Sequence, residues 1–236
     1  FVQMPTTLLS MVDASVGGKL GVDFEGLKNH IGVFQEPLAV FIDALYLNTL
    51  DPRELRSGFA EIIKHNLIAN ATAWQDMKKK NISDFEWDAA IRHSIAIKAD
   101  VTTKDPTEKG LRKILNFGHT LGHAVESFFL PIPSQKLLHG EAIAIGMVVE
   151  AWLACERSYI SATELKEITT YLLKIYGKIS ITPEQVKKIV PLTLQDKKNE
   201  SNVVLFSLLE KIGKANYNIE ISEHEMYDAM YYYISL

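Results

Sequence analysis

The chain has 236 residues, 47% of them hydrophobic and 23% charged, which suits one large domain or two small ones around a substantial core. A net charge of −4 and a pI near 6.0 argue against a nucleic-acid partner held by bulk charge. The single cysteine, Cys155, excludes a disulfide framework and fits a buried thiol in a reducing, cytoplasmic setting; no apolar run approaches the roughly 18 residues of a membrane span, and no signal peptide is visible.

Phe1-Val2 reads as the end of a strand, as if the chain enters mid-fold, so a fragment of a longer protein is expected. Pro5 to Asp13 reads as a short helix with Pro in its first turn. Next comes Gly17-Gly18-Lys19. Paired glycines let the backbone approach a ligand and the lysine adds positive charge, although taken alone a plain turn is the better reading and the spacing is not a Walker motif. Lys28-Asn29 falls in an expected loop, and Ala39 to Asp43 in a short buried strand.

Asp51-Pro52-Arg53-Glu54 opens a helix that should run to about Ala69, with Asp51 as cap and Pro52 in the first turn. Leu55, Phe59, Ile62 and Ile63 form its apolar stripe, while Glu61 and Lys64 share the other side. Three readings of that pair are open: a solvated i,i+3 pair worth a few tenths of a kcal/mol, a metal ligand beside an anion-binding lysine, or Glu61 with His65 as an i,i+4 ligand pair. Further helices are expected within 70–80 and over 84–103, the latter carrying Lys98 near its end; a turn over 105–110 follows.

A central helix is expected from Leu111 to Phe128, broken by Pro131 and Pro133, and a second core helix from Leu137 to Glu156. The second is apolar nearly all round and should be buried in a bundle. Amphipathic helices over 161–176 and 183–190, a basic loop at 196–199, a hairpin around Gly213 and a Tyr- and Met-rich closing helix complete the chain. The fold class is therefore mainly α with a small β-hairpin.

His119, His123 and His139 are three of the seven histidines and lie within one short span. His119 and His123 are one helical turn apart on one face. Two imidazoles and a carboxylate, with Glu61 as the acidic candidate, make a three-ligand set with open positions for a divalent metal. Lysines 19, 28, 64, 98 and 197 suit an anionic substrate, a phosphate or carboxylate. The chemistry alone points to a metal-assisted enzyme acting on a small anion, with the reaction type open.

Pro5-Thr6-Thr7-Leu8-Leu9, Val12-Asp13, Val16-Gly17-Gly18-Lys19, Lys28-Asn29, Gly58-Phe59-Ala60-Glu61-Ile62-Ile63-Lys64, the run Arg112 to His123, His139-Gly140-Glu141-Ala142 and Asp196-Lys197-Lys198 occur in this order. Together they resemble the 3-dehydroquinate synthase family over essentially the whole chain. The resemblance implies one helical metal- and substrate-binding domain over 1–236, corresponding to the family's C-terminal domain. Residues 1–4 would end a strand of an N-terminal α/β NAD domain that is missing. It also implies a lyase of the shikimate pathway to aromatic amino acids, converting the keto-acid phosphate DAHP (3-deoxy-D-arabino-heptulosonate 7-phosphate) to 3-dehydroquinate plus phosphate. In that chemistry NAD oxidises one alcohol transiently, phosphate is eliminated, the alcohol is restored and an aldol step closes the ring.

By that resemblance Glu61, His119 and His139 would hold Zn²⁺ (or Co²⁺), and His123 would leave the metal shell to contact substrate with Lys64, Lys98, Arg112, Asn116 and Lys197. Thr6, Thr7, Asp13, Lys19, Lys28, Asn29 and the segment Tyr46, Leu47, Asn48 and Thr49 would line the nicotinamide side of NAD. Leu20, Asp23 and His30 depart from the family pattern, as does a longer connection between His123 and His139. A homodimer is expected of the full-length protein, and no activity of the 236-residue chain alone. The alternatives are a related sugar-phosphate cyclase such as 2-deoxy-scyllo-inosose synthase, an iron-type polyol dehydrogenase in which His65 joins the ligands, and a metal-binding fragment without activity.

Overall fold

A computed structural model of the chain describes residues 1–24, 27–195 and 203–236. Strand β1 (Val2–Gln3) pairs in parallel with β4 (Ala39–Val40); between them, β2 (Lys19–Phe24) and β3 (Leu27–Phe34) form an antiparallel hairpin with Gly21 opposite Gly32. The loop expected at Lys28-Asn29 is thus part of β3. Among the residues of this ribbon whose burial is described, the apolar Val22, Ile31 and Val33 are all exposed, so no inward–outward alternation marks it in the sequence. The expected helix near Asp13 is a short wide turn over Ser10–Ala14, whose Met11 and Val12 enter the core.

Helix α1 (Pro52–Ala69) begins where the sequence places it, with the Asp51 carboxylate accepting the Arg53 N–H at 2.7 Å. Then come α2 (Ala71–Met77) and α3 (Trp87–Lys104). The continuous helix expected over 111–128 is instead two pieces, a 3₁₀ turn at Leu111–Asn116 and α4 (His119–Phe129). Gly118 separates them in the left-handed region, at φ 80°. A side chain there would meet Met147 Cγ at 2.5 Å, so the break requires glycine.

Helix α5 (His139–Glu156) is the hub. It packs on α1, α4, α6 (Ala162–Tyr176), strand β5 (Val203–Lys211) and the closing helix, while α7 (Pro183–Ile189) and the one-turn α8 (Leu192–Gln195) cover α4. Its apolar circumference is buried from Ala142 to Ala151, as an encircled helix requires. Strand β6 (Lys214–Ser222) pairs with β5, and α9 (Glu223–Ser235) buries Met226, Met230 and Tyr233 as packing residues. Cys155 is half-buried, and among the described residues no helix is long and apolar enough to cross a membrane.

Three helices meet at one point through close backbone approaches. A Cβ on Gly140 would strike the Ser57 carbonyl of α1, and one on Gly146 would strike the Gly118 carbonyl beside α4. The Gly140 N–H donates to Ser57 Oγ at 2.9 Å. Arg53 adds a bidentate pair to Glu141, both N···O distances 2.7 Å, and donates to the Lys136 carbonyl. The Glu141 carboxylate also accepts the Leu138 N–H, so the start of α5 is tied to the start of α1.

Candidate metal centre

Glu61 lies mid-way along α1, while His119 and His139 are the first residues of α4 and α5. The three side chains converge. Glu61 Oε1 is 3.5 Å from His119 Nε2 and 3.6 Å from His139 Nε2, and all three ligand atoms lie within 4.8 Å of one another. The i,i+4 partner His123 stands beside the set, with ring centroids 5.1 Å from His119 and 5.8 Å from His139.

The solvated reading of Glu61 and Lys64 fails. Glu61 is fully buried, Lys64 is 2% exposed, and the ammonium is paired to Glu61 Oε2. Burial works against the Glu61 carboxylate, but Lys64 and the two imidazoles hold it well below the usual carboxylate range. Among the described residues, neither Glu61 oxygen has an aligned hydrogen bond. A buried anion with unused acceptor capacity, facing two imidazole nitrogens, fits a divalent cation.

The outer contacts present the imidazoles correctly. His119 Nδ1 lies 3.1 Å from the Phe117 carbonyl, which fixes its proton there and turns a bare Nε2 to Glu61. Burial and Lys64 push His119 well below the usual imidazole value, Glu61 opposing, so the ring is neutral. His139 Nδ1 lies 3.2 Å from Glu126 Oε2. Burial would lower this ring, but Glu126 and Glu61 lift it to about 9. A metal must therefore displace a proton from His139.

A second group of charges begins at the 13–19 loop. Lys98 Nζ donates to the Asp13 carbonyl and carboxylate, both at 2.5 Å. Burial opposes ionisation of Asp13, yet Lys98 and Lys64 leave its carboxyl below the usual value against the repulsion of Glu61. Arg112, 3% exposed, donates to the carbonyls of Pro106 at 2.8 Å and Gly17 at 2.9 Å. Lys19 pairs with Glu108, which also accepts from Asn116 Nδ2 at 2.9 Å. Burial, then Arg112 and Lys98, push Lys19 down to about 8. Lys64, Lys98 and Arg112 are buried and Lys19 is exposed, and such a group of cations suits recognition of an anion.

Sequence reasoning missed Glu108 and Glu126. Glu108 sits in a stretch read as a plain turn, at φ 58°, and links Lys19 to Asn116. Glu126 follows His123 by three residues, a helical spacing that could have drawn attention to it.

Of the expected nicotinamide-side residues, Thr6, Tyr46, Asn48 and Thr49 are exposed and Thr7 is half-buried, its hydroxyl 2.8 Å from Ser10 Oγ. Tyr46 lines an open hollow with Met4, Phe41, Ile42 and Asp43. Leu47 differs from its companions: its side chain is in the core, leaving only its backbone for a ligand. Lys28 and Asn29 lie on β3, their side chains outside what the structure describes, and Lys197 lies outside the described residues altogether. His65 does not join His119 and His139. It is grouped with Asp13 and Glu61, its Nδ1 2.5 Å from Ser94 Oγ, and burial and Lys64 push it down to about 3.

Comparison with known proteins gives a consistent result. Residues 58–199 match the family model for the C-terminal domain of 3-dehydroquinate synthase, and residues 1–57 match the model for its N-terminal domain. The chain is 35% identical over 235 residues to a 3-dehydroquinate synthase of Parabacteroides distasonis, covering 98% of this chain and 66% of the relative. It is 40% identical over 231 residues to the Leptospira interrogans 3-dehydroquinate synthase, covering 96% and 63%. It thus spans about two thirds, or slightly less, of the length of these relatives.

Among solved structures, it superposes at a TM-score of 0.84 on 2-epi-5-epi-valiolone synthase from Streptomyces hygroscopicus with NAD⁺ and Zn²⁺ bound. That match is 28% identical and covers 100% of this chain and 66% of the other. Superposition on 2-deoxy-scyllo-inosose synthase complexed with carbaglucose-6-phosphate, NAD⁺ and Co²⁺ gives 0.81 at 25% identity, covering 97% and 65%. With family models matched over residues 1–57 and 58–199, and with sequence identity and superposition extending along nearly its full length, this chain belongs to the 3-dehydroquinate synthase family, within the sugar-phosphate cyclases.

Proposed function

We propose that this chain supplies the metal- and substrate-binding part of an enzyme that converts DAHP to 3-dehydroquinate and phosphate. The observation that carries the reading is the convergence of Glu61, His119 and His139 beside buried Lys64 and Lys98. Glu61 Oε1 and the two Nε2 atoms would hold Zn²⁺ or Co²⁺. When bound, the metal would supply Lewis acidity at a substrate hydroxyl and NAD⁺ would accept and return its hydride.

The chain's own residues then bind and orient. Lys64 and Lys98 meet carboxylate or phosphate oxygens as point charges, and Arg112 does so as a planar fork. Asn116 and His123 donate hydrogen bonds, with Lys197 assigned to the same anion. Asp13 holds Lys98, and Lys19 with Thr6, Thr7, Lys28, Asn29 and the 46–49 turn faces the nicotinamide. The burial of Lys64 and Lys98 keeps competing water from the anion.

The test is turnover by the intact protein. Phosphate release and 3-dehydroquinate formation from DAHP are expected, with none from glucose 6-phosphate. Absence of DAHP turnover by protein loaded with NAD⁺ and Zn²⁺ or Co²⁺ sinks the reading. The similarity to 2-epi-5-epi-valiolone and 2-deoxy-scyllo-inosose synthases supports a second reading, a cyclase for another sugar phosphate. Turnover of glucose 6-phosphate or another phosphorylated sugar in place of DAHP selects it.

A further inference from the structure

Glu150 is a carboxylate that the proposed chemistry does not use, and it is completely buried. From the middle of α5 it reaches the start of α4. Its Oε2 accepts the Gly118 N–H at 2.5 Å, and its Oε1 accepts the N–H groups of Thr120 at 3.1 Å and Leu121 at 3.4 Å. These amides bracket His119.

The need for a remote partner follows from the backbone. The first N–H groups of any helix lack intrahelical acceptors, and a local Ser, Thr, Asp or Asn usually supplies one. At α4 the preceding residue is Gly118, with no side chain to offer and no room for one against Met147 Cγ and the Ile143 carbonyl. The turn that aims His119 therefore excludes its own cap. The acceptor comes instead from the neighbouring helix.

We infer that Glu150 is a positioning residue of the metal centre, holding the 118–121 turn so that His119 Nε2 faces Glu61 and His139. The inference rests on the reading of Glu61, His119 and His139 as the ligand set. Both Glu150 oxygens face N–H donors, an arrangement that suits two acceptors and leaves no place for a donor. Glu150→Gln keeps the volume but puts an NH₂ group against one set of amides.

Co²⁺ titration of the intact protein, read from its visible absorption bands, separates the possibilities. Wild type is expected to bind Co²⁺. E150Q is expected to bind it about 10–100-fold more weakly, as loss of contacts that orient metal ligands does, with shifted bands at saturation. Wild-type affinity and bands in E150Q overturn the inference, even if its thermal stability falls. Failure of wild type to bind Co²⁺ overturns the ligand assignment instead. If E150Q does not fold, hydrogen exchange of the wild-type Gly118, Thr120 and Leu121 amides decides. Protection without metal that deepens with Zn²⁺ supports the inference, and exchange at open-chain rates in both states refutes it.

Discussion

Replacing Lys64 by Met isolates the buried ion pair. Were the pair on the surface it would be worth a few tenths of a kcal/mol. With Glu61 fully buried and Lys64 2% exposed, the substitution strands a carboxylate in the interior. Removing one partner of such a pair costs about 3–5 kcal/mol, whereas replacing both by apolar groups is often near neutral. In chelator, urea unfolding of Lys64→Met should therefore show a loss of about 3 kcal/mol or more at pH 7, and the double variant Glu61→Met with Lys64→Met should regain most of it. The pH dependence has a definite sign. In wild type the depressed Glu61 value gives stability that is present above the ordinary 4.5 and lost as pH falls through the lower folded value. In Lys64→Met burial dominates and the folded carboxyl rises, so its deficit should shrink below that pH. A deficit under 1 kcal/mol, or one unchanged between pH 4 and 8, would refute the buried-pair reasoning.

The raised His139 value predicts that metal-free protein loses a stabilising contribution as pH rises through about 9, the contribution being complete below the usual 6.5. Glu126→Gln should flatten that part of the stability profile, and calorimetry in two buffers should show less proton release on Zn²⁺ binding at pH 7 than in wild type. Gly146→Ala would drive a methyl into the Gly118 carbonyl and within 2.9 Å of the Gly122 nitrogen; a loss of about 1–3 kcal/mol or more and altered Co²⁺ bands are expected, and wild-type unfolding would contradict the close approach. Arg53→Ala removes a half-exposed pair to Glu141, so a loss of only about 1 kcal/mol is expected, with weaker metal binding as the more sensitive readout.

Legibility in the sequence followed how local each determinant is. The start of α1 was plain because Asp51 and Pro52 act on the next few residues, and α5 because an all-apolar circumference has few other uses. The break at Gly118 was not, since glycine alone does not state its φ; the packing of Met147 and Ile143 against it does. The i,i+4 spacing of His119 and His123 suggested two ligands, whereas the resemblance to the family implies Glu61 in place of His123. In the fold His139 at the start of α5 meets Glu61 from α1, and His123 converges with Glu126 on the same His139.

The sequence by itself determined which residues carry charge, which helix faces are apolar and, through matched motifs, the family. Only the tertiary structure decided depth and convergence. Periodicity reports which side of a helix a residue occupies, and the same side can be solvent or core. Whether Glu61 and Lys64 lie in water or in the interior, and whether carboxylates such as Glu108, Glu126 and Glu150 reach partners on other elements, depends on contacts between segments far apart in the chain. No local spacing encodes such contacts, because they form only when the helices pack.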